Sequence, residues 1–321
     1  MNKKKYVNRN YLTTTRIIAL GFLITVIVGT ILLSLPIASA NGTWTDLLTA
    51  AFTSTTSVCV TGLVVVDTFS YWSLFGKGVI LILIQIGGLG IVSIITLFML
   101  LFRMKITLKS TMLLQDAFNL NSKQGLLKFT IKVIKGTFLI EGIGAFIYSF
   151  YYCREYGLLK GIWFSVFHAV SAFCNAGLDI MGADSLIPYH SNLLMMLNTS
   201  FLIIMGGIGF IVWWDTVEAF RRIRTKKCSI RSAWNGVHLQ TKIAIFMTLL
   251  LLIGGTVVIY FLERSNPDTL GNLSEKDRIL NAFFQSVTLR TAGFAAVPQA
   301  ALRPVTAFFG ALLMMIGGSP V

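Results

Sequence analysis

Apolar residues in this chain fall in long runs instead of the alternation that marks a half-buried strand or a solvent-facing helix. Runs at 17–35, about 75–102, 136–152, 193–214, 243–262 and 305–317 approach the roughly 20 residues a helix needs to cross a hydrocarbon core. Six spanning helices are predicted. The first run has no small-residue cleavage site after it, so it reads as a retained helix and not as a signal peptide. Shorter amphipathic stretches at about 45–57, 161–173 and 277–288 carry Thr, Ser, Gln and His. They are too short to cross, and read as half-depth helices followed by irregular backbone. Within a membrane such backbone is tolerated only where it is buried in protein or lines a watery path. The pattern predicts an all-α polytopic membrane protein.

These stretches repeat. TTSVCVTGL (55–63), VSAFCNAGL (170–178) and SVTLRTAGF (286–294) align without gaps on Gly62, Gly177 and Gly293, spaced by 115 and 116 residues. A phenylalanine, Phe52, Phe167 or Phe283, stands ten positions before each glycine, and a Gly-Gly pair follows in the next apolar run, at 87, 206 and 317. Each unit is a span, a half-helix with its loop, and a second span. The predicted divisions are a terminal arm at 1–16 and repeats at 17–104, 105–225 and 226–321, with loops at about 45–63, 161–178 and 277–294. Three loops of one design imply a shared axis.

Composition agrees with lipid as the solvent: 55% of residues are hydrophobic, 12% are charged, and the mean hydropathy is +0.75. The net charge of +14 would draw attention to nucleic acid if it were gathered on one face. Instead, 19 of the 27 Lys and Arg lie in three blocks beside apolar runs, with Asp116 as the sole acid among them. The blocks are the N-terminal arm, 103–135, and the segment from Arg221 to Lys242. Membrane topology explains that distribution, with all three blocks and the N-terminus on the cytoplasmic side. Nucleic acid is excluded as a partner. The four cysteines, Cys59, Cys153, Cys174 and Cys228, show neither zinc-site nor disulfide spacing. Scattered histidines and few intramembrane acids argue against a membrane enzyme.

The loops favour cation conduction. Rings of backbone carbonyls can replace the hydration shell of a monovalent cation, and glycine reaches the backbone angles that align them. Half-helices ending there aim partial negative charge at the axis. The expected ring is Val60-Thr61-Gly62, Asn175-Ala176-Gly177 and Thr291-Ala292-Gly293, with no metal beyond the transported ion and no cofactor. The Gly-Gly pairs read as sites of close helix packing. Arg290 should turn away from a cation path, and pairing with Glu141 of the neighbouring span would brace the third loop. Cys59 and Cys174, both three positions before a loop glycine, are expected near the axis or just behind it. His168 reads as a hydrogen-bonded structural residue, and Asp67 as a loop cap or a cation attractor at the outer mouth. Asp215 and Glu218 read as local partners of Arg221 and Arg222, while the basic blocks could dock a regulator or anionic lipid.

CVTGLVVVDT (59–68), IQIGGLGI (84–91), FHAVSAFCNAGL (167–178), GGIGF (206–210) and FFQSVTLRTAGF (283–294) resemble the Trk/Ktr/HKT superfamily of potassium transporters, most closely the membrane subunit of Ktr systems. The resemblance implies four helix–loop–helix repeats about one pore, Gly62, Gly177 and Gly293 as filter glycines, and potassium uptake across the plasma membrane with sodium as a further candidate ion. It also implies a homodimer on a cytosolic nucleotide-binding regulatory ring. Gly317, Gly318 and Ser319 match the start of a gate loop. Measured against that pattern, the chain stops at Val321 in the third repeat, so it is expected to be a truncated form lacking the fourth, and a non-conducting fragment is the alternative reading.

Overall fold

The computed structural model describes residues 14–90, 93–94, 96, 126–182, 184–226 and 229–318. Twelve α-helices are described: α1 (Thr14–Ser34), α2 (Leu47–Cys59), α3 (Thr68–Tyr71), α4 (Leu74–Leu89), α5 (Leu126–Tyr156), α6 (Leu158–Phe173), α7 (Leu193–Gly207), α8 (Phe210–Lys226), α9 (Ile230–Asn235), α10 (Leu239–Glu263), α11 (Glu275–Thr288) and α12 (Pro304–Ile316). No strand occurs among the described residues, only an isolated bridge between Ser39 and Trp72. Lys3 to Arg9, most of the 103–135 block, Cys228 and Ser319 lie outside the described residues.

A long helix, a short helix, a glycine loop and a second helix recur three times: α1–α2–α4, α5–α6–α7 and α10–α11–α12. The long helices are apolar enough to cross a membrane over Arg16–Ser34, Lys128–Tyr156 and Leu239–Glu263. Their outward faces are greasy: Leu20, Ile24, Ile27 and Ile31 on α1, and Phe246, Leu250, Ile253 and Val257 on α10, are exposed. Polar side chains lie inside instead. Ser54, Ser57, His168, Ser171, Asn281, Gln285 and Ser286, all on the short helices, are buried. This arrangement suits lipid outside and hydrogen-bonding partners within.

The second helices differ from expectation. The run 193–214, read as one span, is broken between α7 and α8 by a bend of 100°. Gly209, with φ +92°, occupies the break, as Gly90 (+78°) and Gly317 (+64°) do after α4 and α12. The first two Gly-Gly pairs pack closely against the ends of the short helices, while Gly318 of the third approaches Gly207. A Cβ on Gly87 would collide with the Val58 carbonyl oxygen and one on Gly206 with that of Phe173. No other residue permits that approach.

Candidate functional site

The short helices carry the glycine loops, and their chain entry is defined by caps. The Asp46 carboxylate accepts from Leu48 N and Thr49 N at the start of α2; Ser274 accepts from Asp277 N at the start of α11, whose first turn is acidic. Negative charge at a helix N-terminus complements the dipole. α6 starts from Gly157, one residue after α5 ends, and has no side-chain cap.

At the other end the backbone performs the same manoeuvre three times. Positive φ falls on Val60 (55°), Asn175 (57°) and Thr291 (70°), and again two residues later on Gly62 (74°), Gly177 (63°) and Gly293 (88°). Asn tolerates the left-handed region, whereas β-branched Val and Thr are strained there at a cost of about 1–3 kcal/mol. Tertiary contacts must offset that strain. A hydroxyl in the last two turns of each short helix supplies one. Thr288 Oγ1 donates to Phe294 O at 2.7 Å, Ser171 Oγ donates to Leu178 O, and Thr56 Oγ1 accepts from Leu63 N at 3.0 Å while sharing a hydrogen bond with Thr61 Oγ1. Each ties the helix to the residue after the glycine. Nothing singled these hydroxyls out in the sequence except their near-alignment, two of them six positions and one five before the glycine.

The three glycines meet. A Cβ on Gly62 would lie 2.9 Å from Ala176 O, one on Gly177 would lie 2.6 Å from Ala292 O, and one on Gly293 would lie 3.0 Å from Gly177 Cα and 3.7 Å from Gly62 Cα. The loops that follow three helix C-termini therefore meet at one place, and the negative ends of helix dipoles beside it suit a cation. Beside it lies a cavity of about 300 Å³ lined by the three glycines together with Asp67, Asp179, Ser185 and Val64–Val66. Asp67 accepts from Ser70 N at 2.9 Å and from Phe69 N, capping α3. Burial raises the pKa of Asp179 in the loop beyond Gly177, against hydrogen bonds from Ser185 and Met181 N that lower it.

Behind the loops the supports diverge. The expected Arg290–Glu141 pair is not formed. Gln85 Nε2 of α4 donates to both Glu141 carboxylate oxygens, at 3.1 and 3.2 Å, and Cys174 Sγ lies 4.0 Å away. Arg290 instead donates to Thr248 Oγ1 at 3.3 Å and to the Gly317 carbonyl at 3.4 Å. Glu141 on α5 is within reach of Gln85 of α4, and Arg290 on its loop is within reach of Thr248 of α10 and the end of α12, so each takes the polar group its own neighbours offer. Arg290 does turn away from the glycines, and it lines a second cavity of about 510 Å³ with Gln240, Thr248, Gly317 and Gly318.

Cys59 and Cys174 are not alike: Cys59 is exposed and Cys174 is buried, pressed against Gly88. His168 is fully buried, with no hydrogen-bond partner for either ring nitrogen among the described residues, edge-on to Tyr148 and beside Phe294. It packs as an aromatic ring, not as the hydrogen-bonding residue expected. Asn175, its amide nitrogen facing Ala172 O and Ile203 O at 3.2 Å each, fastens the second loop to α7. Gly318 approaches Gly207 O, and Gly207 approaches the side-chain amide of Asn175, so the second and third helix breaks touch each other and the second loop.

Among known proteins, the TrkH family of cation transport proteins matches residues 3–321. The chain belongs to the TrkH family. It is 39% identical over 97% of its length to the potassium/sodium uptake protein NtpJ of Enterococcus hirae, covering 66% of that protein. It is 37% identical over 99% of its length to the Ktr system potassium uptake protein B of Bacillus subtilis, covering 68% of it. The chain thus spans about two thirds of the length of these TrkH-family relatives. The crystal structure of the potassium transporter TrkH from Vibrio parahaemolyticus is similar to 99% of the chain and 59% of its own, with a TM-score of 0.63 at 16% identity. Likeness at that identity speaks to fold alone. A TrkH-family chain with these apolar helices is a membrane protein of a transporter family, not of an enzyme class.

Proposed function

We propose that the chain forms the ion-translocating part of a potassium uptake protein, conducting the cation between carbonyls of Val60-Thr61-Gly62, Asn175-Ala176-Gly177 and Thr291-Ala292-Gly293. The observation that carries this reading is the meeting of Gly62, Gly177 and Gly293 at the C-termini of three short helices. Carbonyl oxygens and helix ends supply the ligands and the partial charge a dehydrated monovalent cation needs. Relatives are named for potassium and for potassium/sodium uptake, which supports potassium as substrate and sodium as a second ion.

In this reading the basic blocks and the N-terminus face the cytoplasm of the cell whose plasma membrane holds the protein. The cavity with Asp67 and Asp179 is then the outer mouth. Gly317 and Gly318, with Ser319 following, begin the gate. A homodimer seated on a cytosolic nucleotide-binding ring is the assembly supported by resemblance to Ktr systems, whose B subunits are among the relatives.

Rubidium uptake in cells lacking their own potassium uptake systems tests the reading. The chain is expressed as given and within its whole natural reading frame, each with and without Gly177→Asp. Uptake that Gly177→Asp removes, with the protein still in the membrane, supports the glycine loops as the filter. Uptake that survives the substitution, or no uptake in any form with a regulatory partner supplied, overturns it.

A further inference from the structure

The bend of 100° after α7 turns α8 across the direction of the helix that leads into it. α8 then runs beside the first turns of two spanning helices. Lys132 Nζ of α5 lies 5.4 Å over the Trp214 ring, and Gly136 of α5 faces Trp213 and Trp214. Asp215 accepts from Thr241 Oγ1 of α10 at 2.6 Å and meets His238 Nδ1 at 2.8 Å. Trp213 Nε1 donates to Met205 O, one of the carbonyls freed by the break. α8 is therefore held against the N-terminal parts of α5 and α10, where a helix turned by 100° from its span is suited to lie along a membrane boundary.

Its two faces differ. At about 100° per residue, Asp215, Ala219 and Arg222 share the side toward α9 and α10, where Arg222 donates to Gly236 O and pairs with Glu218. Val217, Phe220, Arg221 and Arg224 share another side, and all four are exposed. Phe220 is 68% and Val217 54% accessible, large apolar exposure with guanidinium groups beside it and no described partner. Ile230 and Trp234 of α9 and Leu239 at the start of α10 extend the exposed apolar surface, with Arg231 also exposed among them. Apolar side chains flanked by arginine on a helix parallel to the boundary fit insertion between headgroups, with the charged heads reaching phosphates. Aromatic rings prefer the same depth.

We propose that the exposed face of α8 is an anionic-lipid site: Val217 and Phe220 enter the acyl boundary and Arg221 and Arg224 hold lipid phosphates, steadying the break at Ile208–Gly209. The site rests on membrane embedding and not on the ion carried. Charge complementarity favours lipid, since the side with Val217 and Phe220 carries Arg221 and Arg224, and the exposed acid that flanks it, Glu218, is paired with Arg222.

Hydrogen exchange of the amides at 212–225 is measured on the whole protein in phosphatidylethanolamine vesicles with and without phosphatidylglycerol. Phosphatidylglycerol is expected to slow exchange about fivefold for each arginine engaged, less at high salt. Arg221→Gln with Arg224→Gln should remove that difference, and Phe220→Ser should raise exchange in both lipids. Arg222→Gln, which loosens α8 from Gly236, should raise exchange equally with and without phosphatidylglycerol and leave the lipid response intact. Equal exchange of the unsubstituted protein in both vesicles, or protection of these amides that arises only when a cytosolic protein is added, overturns the proposal.

Discussion

The second and third glycine loops share one backbone and rest on different side chains. Asn175 and Gly177 repeat the φ pattern of Thr291 and Gly293, and Ser171 and Thr288 clamp the residue after each glycine. Three positions before the glycine, however, stand Cys174 and Arg290. Cys174 faces Glu141, whose carboxylate is held by Gln85 of the preceding unit. Arg290 faces Thr248 and the Gly317 carbonyl of its own unit. Glu141 and Thr248 are counterparts, each fifteen positions before the last residue of its long helix, Tyr156 and Glu263. The backbone is what the loops have in common, and the side-chain supports are local solutions. A support can change its chemistry while the φ pattern in front of it is kept.

Substitutions that touch the common backbone should have the largest effect. Gly177→Ala places a methyl 2.6 Å from Ala292 O in a left-handed conformation, and a displacement of about 1 Å there should reduce rubidium uptake about a hundredfold. Gly293→Ala should match it, and unequal losses would show that the loops are not equivalent. Next come the supports. Arg290→Gln should cost about tenfold in uptake or in potassium over sodium preference, since the Gly317 contact is lost, whereas Glu141→Gln keeps an acceptor for Gln85 and should stay within about twofold. Because Glu141 and Arg290 hold separate partners, the double variant should be additive within about 0.5 kcal/mol. Strong coupling in a double-mutant cycle would restore the pair that the structure separates.

Thiol chemistry sharpens the same contrast at smaller scale. Cys59 should react with a small maleimide at least about ten times faster than Cys174, as exposure governs access; equal rates would contradict the burial of Cys174. The mildest effect concerns Asp179. Burial raises its pKa, so it gains a proton at a higher pH than an ordinary aspartate, and its negative charge beside the glycines is lost as pH falls. Uptake at low rubidium should decline on acidification more than in Asp179→Asn, and identical pH profiles would remove this residue from cation attraction.

Much of the fold was legible in the sequence because lipid imposes a strong rule. Apolar runs marked the helices, and the spacing of Gly62, Gly177 and Gly293 marked the three loops and their meeting point. What escaped were features decided by neighbours distant in sequence. An unbroken apolar run at 193–214 gives no sign that Gly209 will adopt φ +92° and turn the helix. Glu141 and Arg290 looked complementary because opposite charges in an apolar setting suggest a pair, yet each was already served by Gln85 or by Thr248 and Gly317. His168 looked like a hydrogen-bonding residue and is enclosed by Tyr148, Tyr152 and Phe294 instead. The clamp hydroxyls stood in the aligned segments, but serine and threonine are common on polar helix faces and gave no distinguishing signal.

Those clamps also bear on how the protein forms. Thr56 to Leu63, Ser171 to Leu178 and Thr288 to Phe294 each close a loop of a few residues, so the entropy cost of closure is small and the contact is local. Each unit can shape its own glycine loop as it enters the bilayer, before any other unit is beside it. Assembly around the axis then joins parts already bent to fit, and a chain delayed between units exposes no unformed loop to lipid.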